Sequence, residues 1–79
     1  MNHANAAQLQ DIFRVVFNMP AETDVSDISV ATNKKWDSLI TITLITAIES
    51  EFDVTLETSQ YEALSSFDAA RLILESHGL

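Results

Sequence analysis

The apolar residues of the first segment recur with the period of an α-helix. Between positions 6 and 17, Leu9, Ile12, Phe13 and Val16 follow this spacing, and polar side chains such as Asp11 and Arg14 fall between them. This spacing predicts an amphipathic helix over residues 6–17. The helix should end at Asn18-Met19-Pro20, because proline cannot continue the backbone ladder and disfavours helical dihedrals in the residue before it.

Residues 20–37 are predicted to form a long connection, because turn-forming and helix-capping side chains dominate them. Val25, Ile28 and Val30 are spaced so as to hold this loop against a core. A connection of this length inside a small domain is usually functional. A calcium loop beginning at Asp24 is excluded, because the segment lacks the glycine at position six and the glutamate at position twelve that such a site needs.

A second helix is predicted over residues 38–52, with Asp37 as its N-cap. Projected at 100° per residue, one arc of this helix is apolar and is assigned to the core. The opposite arc is unusually apolar for a face in water, so either the helix is buried on most sides or this arc docks onto another protein. The core arc holds Leu44, Ile45, Ile48 and Phe52, and the outward arc holds Leu39, Ile42, Thr43, Thr46, Glu49 and Ser50, with Ile40 and Ala47 at its margin.

The remainder of the chain predicts two further helices. Val54-Thr55-Leu56 has no partner strand in the sequence and is expected to be an extended loop. A short third helix should follow over residues 58–64, capped by Thr58 or Ser59, and a fourth should start at position 65 or 66 and stop at Gly78. The expected fold is all-α: one domain over 1–79, an antiparallel four-helix bundle of three longer helices and one short, with a long loop between helices one and two.

Composition then narrows the classes of function. Twelve acidic and four basic residues among 79 give a net charge of −8, which disfavours binding to nucleic acid or to an anionic membrane. No cysteine is present, so disulfides, thiolate metal sites and a cysteine nucleophile are excluded. No apolar run approaches the roughly 20 residues of a membrane span, and the first residues lack the pattern of a signal peptide. We therefore expect a cytoplasmic protein without membrane insertion.

The side chains that could carry catalysis are few. His3 and His77 have no neighbouring nucleophile in sequence, and Glu49, Glu51 and Asp53 are expected to form a solvated charged face. A single glycine cannot build a phosphate-binding loop. Neither an enzyme nor a metal site is expected.

Ser38 is the residue that stands out, in the run Lys34-Lys35-Trp36-Asp37-Ser38-Leu39. An Asp-Ser pair is also an ordinary helix cap, so the pair alone is a weak signal. Its surroundings strengthen it: an acidic chain, an amphipathic first helix, a long loop, and Asp37-Ser38-Leu39 opening a second helix that closes with Phe52-Asp53-Val54. With these features the chain resembles the acyl carrier proteins over essentially its full length.

The resemblance implies that Ser38 bears a covalent 4′-phosphopantetheine arm and that Asp37 helps the phosphopantetheinyl transferase to recognise the site. A phosphodiester on Ser38 would lie at a helix N-terminus, which favours an anion. The arm's thiol would carry acyl-type intermediates as thioesters to acyl-loading, condensing or acyl-transfer enzymes of a fatty-acid, polyketide or related pathway, with the carrier acting as a monomer. The expected docking residues are Leu39, Ile40, Ile42, Thr43, Thr46 and Glu49.

Two departures from the family's pattern bear on the choice of partner. Lys35 stands where many fatty-acid carriers have glycine, and the outward arc of helix two has few acids. With Trp36 before the motif, the chain looks more like the stand-alone carriers of specialised pathways. Trp36 could equally be packing under the loop, and Lys34 and Lys35 could be solvated or contact the phosphate. Two alternatives stay open: an aminoacyl or peptidyl carrier of the same fold, and an unmodified helical interaction module in which Ser38 is dispensable.

Overall fold

Four helices and no strand make up the chain, which a computed structural model describes from Met1 to Leu79. The helices are α1 (His3–Val16), α2 (Ser38–Phe52), α3 (Thr58–Ala63) and α4 (Phe67–Ser76). The prediction of an all-α fold with three longer helices and one short helix is confirmed. No helix of the structure combines the length and the apolar character that crossing a membrane requires.

Capping side chains explain where α1 and α2 begin. The Asn2 side chain accepts a hydrogen bond from the Asn5 N–H at 2.8 Å, so α1 starts three residues earlier than the apolar pattern predicts. Asp37 caps α2 as predicted, and α2 has the predicted bounds. At its other end α2 stops at Asp53, which adopts the left-handed conformation (φ 53°, ψ 50°) common at helix C-termini.

The caps of α3 and α4 are partly as predicted. The prediction that Thr58 or Ser59 caps α3 is wrong, because Glu57 precedes the helix and its N–H donates to the Gln60 side chain at 3.0 Å. Ser66 caps α4, and its hydroxyl accepts from the Ala69 N–H at 2.9 Å. The start of α3 is thus set by Glu57 together with Gln60, three residues later.

A single apolar core joins the helices and the loop. Three of the four residues assigned to the core face of α2 are buried, and Phe52, the fourth, is only half-buried. Complete burial of a leucine, isoleucine or phenylalanine side chain stabilises a fold by about 1.5–3 kcal/mol relative to exposure. The largest fully buried side chains are Phe13, Leu9, Leu44, Ile48, Leu74 and Val25.

The long loop between α1 and α2 is hydrogen-bonded to α1 near its start and to the beginning of α4 further along. Near its start, the Arg14 Nε donates to the Thr23 carbonyl at 2.8 Å, and Val25 is buried as predicted. Val30 is exposed, so the prediction that its side chain holds the loop is wrong. Its backbone holds the loop instead, because the Val30 N–H donates to the Ser65 carbonyl at 2.9 Å.

That hydrogen bond belongs to an isolated antiparallel bridge between Ser29 and Ser66. The second bond of the bridge runs from the Phe67 N–H to the Ile28 carbonyl, also at 2.9 Å. The loop is therefore tied to the first residues of α4.

Candidate functional site

Ser38 is the first residue of α2, and its side chain is exposed. The hydroxyl makes no hydrogen bond within the protein. Among the eight serines of the chain, only Ser50 and Ser59 share this property, because the other five donate or accept through their hydroxyls. Of the three free hydroxyls, that of Ser38 alone lies at the first residue of a long helix.

The backbone around Ser38 leaves two hydrogen-bond donors without partners. The Asp37 carboxylate accepts from the Ile40 N–H at 2.9 Å, and the Asp37 carbonyl accepts from the Thr41 N–H at 3.0 Å. The N–H groups of Ser38 and Leu39 have no acceptor in the protein. Unpaired donors at the positive end of a helix favour an anion, so the residues present fit a phosphodiester on the Ser38 oxygen.

Trp36 packs under the loop, two residues before Ser38. It is buried, with its ring edge-on to Phe13 at a centroid distance of 5.8 Å and to Phe17 at 5.5 Å. The packing interpretation of Trp36 is thereby confirmed, and the aromatic contacts join the segment before Ser38 to the end of α1. The indole also reaches α2, because its Nε1–H donates to the Thr41 hydroxyl at 2.8 Å.

Lys34 and Lys35 are the cations nearest to Ser38 in the chain. Both side chains are exposed, and neither takes part in any of the protein's four ion pairs. The Lys35 N–H donates to the Asn33 side chain at 2.9 Å, which fixes the turn that carries the two lysines. Their ammonium groups are left free in solvent.

The outward face of α2 is apolar at the end that carries Ser38. Leu39 and Ile42 are 69% and 60% exposed, and Ile40 is half-buried. Thr43 and Thr46 are exposed, but their hydroxyls donate to backbone carbonyls one turn earlier, at 2.9 and 3.0 Å. Those hydroxyl protons are already used within the helix, which lowers the polarity that the face offers to a partner.

Glu49 is the first acidic residue within α2, and its carboxylate forms a hydrogen bond within the protein. It is half-buried, and one oxygen accepts from the Leu56 N–H at 2.9 Å, which holds the extended segment after α2. Glu51 likewise accepts from the Gln8 side chain of α1 at 2.9 Å. The prediction of a solvated acidic face at this end is therefore only partly right, and the first eleven residues of α2 carry no acid at all.

A groove of about 280 Å³ lies between α1 and α2, away from Ser38. Its α2 lining begins at Ala47, nine residues after Ser38, which corresponds to about 13 Å along a helix. The groove is consequently not next to the Ser38 hydroxyl. Its lining residues are Gln8, Asp11, Ile12, Val15, Val16, Ala47 and Glu51.

Neither histidine forms a hydrogen bond with Ser38. The His77 ring is half-buried, and its Nε2 lies 3.0 Å from the Gln60 side-chain oxygen in α3. His3 is exposed at the first residue of α1. No group of three or more His, Cys, Asp or Glu side chains has an arrangement that could hold a metal ion.

The sequence points to Ser38 and Asp37 but not to Thr41, whose hydroxyl accepts from the Trp36 indole. The sequence contained no signal for it, because its hydrogen bond to Trp36 depends on how the loop packs against α2. Neither a scan against models of protein families nor a search of curated proteins finds a match for this chain. The function must therefore be argued from the residues around Ser38.

Proposed function

We propose that this protein is an acyl carrier protein that bears a 4′-phosphopantetheine arm on Ser38. One observation carries the proposal: the Ser38 hydroxyl is exposed and free of internal hydrogen bonds, beside two unpaired N–H groups at the start of a 15-residue helix. A nucleophile that another enzyme must reach needs this freedom. A phosphodiester formed there gains backbone donors and the positive end of the helix dipole.

The loading reaction is expected to need a transferase, because no side chain of this protein is hydrogen-bonded to the Ser38 hydroxyl and ready to take its proton. In that reaction the Ser38 oxygen forms a bond to the phosphorus that carries the pantetheine arm of coenzyme A. The bond from that phosphorus to the nucleotide breaks, the nucleotide leaves with the electron pair, and the Ser38 proton passes to a base of the transferase. The arm supplies a thiol for thioester formation, which a chain without cysteine lacks.

The outward face of α2 is the surface on which we expect phosphopantetheinyl transferase and acyl-loading, condensing or acyl-transfer enzymes to dock. Leu39 and Ile42 lie one and four residues after Ser38 and are the most exposed apolar side chains of α2. Contacts there should be mainly apolar, since no acid precedes Glu49 in the helix. Glu49 is expected to contribute less than these two residues, because it already binds the Leu56 N–H. Such a carrier would act in the cytoplasm as a monomer.

Mass spectrometry tests the proposal directly. The purified protein is incubated with coenzyme A and a broad-specificity phosphopantetheinyl transferase, beside a carrier that the transferase is known to load. We expect the wild type to gain the mass of one arm and Ser38→Ala to gain nothing. Ser50→Ala and Ser59→Ala, which remove the other two free serine hydroxyls, should be loaded like the wild type. An unloaded wild type beside a loaded reference, or a loaded Ser38→Ala, would show that the proposal is wrong.

Two alternatives are separated by further results. An aminoacyl or peptidyl carrier would be loaded on Ser38 in the same way, and the cargo accepted from purified loading enzymes would distinguish it. One observation, the exposure of Leu39 and Ile42, favours an unmodified interaction module. It would remain unloaded, and Ser38→Ala would leave its binding unchanged.

A further inference from the structure

Two hydrogen bonds of the Thr41 hydroxyl connect the buried Trp36 to the backbone beside Ser38. The Trp36 Nε1–H donates to the Thr41 oxygen at 2.8 Å, and the Thr41 hydroxyl donates to the Asp37 carbonyl at 3.2 Å. An indole N–H can only donate and a carbonyl can only accept, so the direction of both bonds is determined. The single hydroxyl proton of Thr41 must point to Asp37.

These bonds hold the residues on both sides of Ser38 and leave Ser38 itself free. Trp36 precedes it by two residues and is fixed against α1, whereas Thr41 follows it by three and is fixed in α2. Asp37, between Trp36 and Ser38, has its carbonyl bound by Thr41 and its carboxylate bound by Ile40. A helix terminus of this kind otherwise frays readily.

We propose that Trp36 and Thr41 are positioning residues for the modification of Ser38, and we refer to their hydrogen bond as the clasp. The clasp holds the Asp37–Ser38 peptide in one conformation at the start of α2, so that the transferase meets a preformed site. This inference rests on the proposed function of Ser38. Neither residue touches the reacting oxygen, and each acts through the backbone of Asp37.

The expected effect follows from the population of the held conformation. When the clasp is broken, only a fraction of molecules present Ser38 correctly, and the apparent affinity of the transferase falls by that fraction. One hydrogen bond of ordinary net strength corresponds to a change of about two- to tenfold. The KM for this protein as substrate should rise by that factor, whereas kcat should be kept because the bound complex is the same.

Kinetics of loading with four variants test the clasp. Thr41→Val removes the hydroxyl at nearly constant volume, and Trp36→Phe removes the indole N–H while keeping an aromatic ring. Both should raise KM about two- to tenfold. Because the two changes break the same bond, the double variant should resemble Thr41→Val, and the effects should not add. Thr41→Ser keeps the hydroxyl and should restore a KM near that of the wild type.

Thr55→Val is the matched control for the chemical change. Thr55 lies in the extended segment after α2, is exposed, and its hydroxyl has no partner, so its loading kinetics should equal those of the wild type. Circular dichroism at the assay temperature checks that each variant is folded. If the variants differed only in global stability, loading would be slower in every variant with a low melting temperature. The KM would then follow the melting temperature and would not depend on whether position 41 carries a hydroxyl.

Amide hydrogen exchange tests the clasp without the transferase. Loss of the clasp should speed exchange of the Ile40 and Thr41 N–H groups, which close the first turn of α2, while the centre of α2 keeps its protection. Thr46→Val removes a hydroxyl that donates to the Ile42 carbonyl but meets no indole, so it should leave the first turn unchanged. Fast exchange confined to the first turn in Thr41→Val and Trp36→Phe is the expected result.

The possible results distinguish a failure of the clasp from a failure of the proposed function. If the wild type is loaded and Thr41→Val has the KM and first-turn exchange of Thr55→Val, the clasp has no positioning role and the inference is wrong. If the fold increases in KM caused by Trp36→Phe and by Thr41→Val multiply in the double variant, the two residues act independently, and the inference is also wrong. If the wild type is not loaded beside a loaded reference carrier, the proposed function fails first, and the positioning role fails with it.

Discussion

Replacement of Asp37 separates the two roles that this residue is proposed to have. Asp37→Ala removes the side-chain acceptor of the Ile40 N–H, a bond of 2.9 Å at the start of α2. Loss of an N-cap costs about 0.5–2 kcal/mol, typically about 1 kcal/mol. In a chain of this size, about 1 kcal/mol lowers the melting temperature by roughly 4–8 °C.

Asp37→Asn keeps an oxygen that can accept from Ile40 and removes only the charge. The interaction of a surface charge with the helix dipole contributes about 0.3–1 kcal/mol at low ionic strength and is screened by salt. We therefore expect melting temperatures to fall in the order wild type, Asp37→Asn, Asp37→Ala. Thermal unfolding followed by circular dichroism checks this order. In high salt, the difference in melting temperature between the wild type and Asp37→Asn should disappear, whereas the difference between Asp37→Asn and Asp37→Ala should persist.

Ser66→Ala supplies a matched control, because it removes the N-cap of α4 and its bond of 2.9 Å to the Ala69 N–H. It should lower the melting temperature about as much as Asp37→Ala does. Under the proposed function it should load normally at a temperature where all variants are folded, whereas both Asp37 variants should load more slowly, because the transferase recognises the carboxylate.

Three results would refute this reasoning. A melting temperature of Asp37→Ala equal to that of the wild type would show that the cap contributes nothing. An Asp37→Asn variant that melts as low as Asp37→Ala in high salt would show that the hydrogen bond is not the cause. Equal slowing of loading by Ser66→Ala would show that loading follows stability and that Asp37 is not recognised.

Three further predictions concern packing, charge and salt. Leu44→Ala should lower the free energy of unfolding by about 2–5 kcal/mol, because Leu44 is fully buried, whereas Leu39→Ala at an exposed site should stay within about 0.5 kcal/mol of the wild type in urea titrations and yet slow loading. The pKa of Asp24 is lowered by hydrogen bonds from the Ser26 N–H and hydroxyl, so its contribution to stability is present at neutral pH and is lost as the pH falls through that lowered pKa. Ser26→Ala should raise the NMR titration midpoint of the Asp24 carboxyl, and an unmoved midpoint would contradict the assignment. The net charge of −8 should make the melting temperature rise with added sodium or magnesium chloride, and an indifferent melting temperature would count against self-repulsion.

The elements that could be predicted are those whose determinants are local. For α2, the apolar period and the Asp37 cap are adjacent in sequence and agree, so its bounds are correct. The start of α1 is earlier than predicted because the residues between Asn2 and Leu9 are small or polar and have no apolar period. For α3, the serine and threonine inside the helix suggested a cap that Glu57 provides together with Gln60.

The features that could not be predicted depend on contacts between distant segments. The bridge from Ser29 to Ser66 pairs backbone groups, which no side-chain pattern marks. The hydrogen bond from the Leu56 N–H to the Glu49 carboxylate forms only because the chain turns back after α2. Ser38 could be located from the Asp-Ser-Leu run, but the freedom of its hydroxyl follows from the positions of its neighbours in space.

Trp36 is the only tryptophan of the chain, and this gives the molecule an intrinsic fluorophore two residues from Ser38. Its emission reports on the packing of the loop against α1, whereas far-ultraviolet circular dichroism reports on all four helices together. In a two-state protein the two signals change at the same denaturant concentration. Any earlier change in the emission would measure, without a label, the free energy with which the segment before Ser38 detaches while the bundle stays folded.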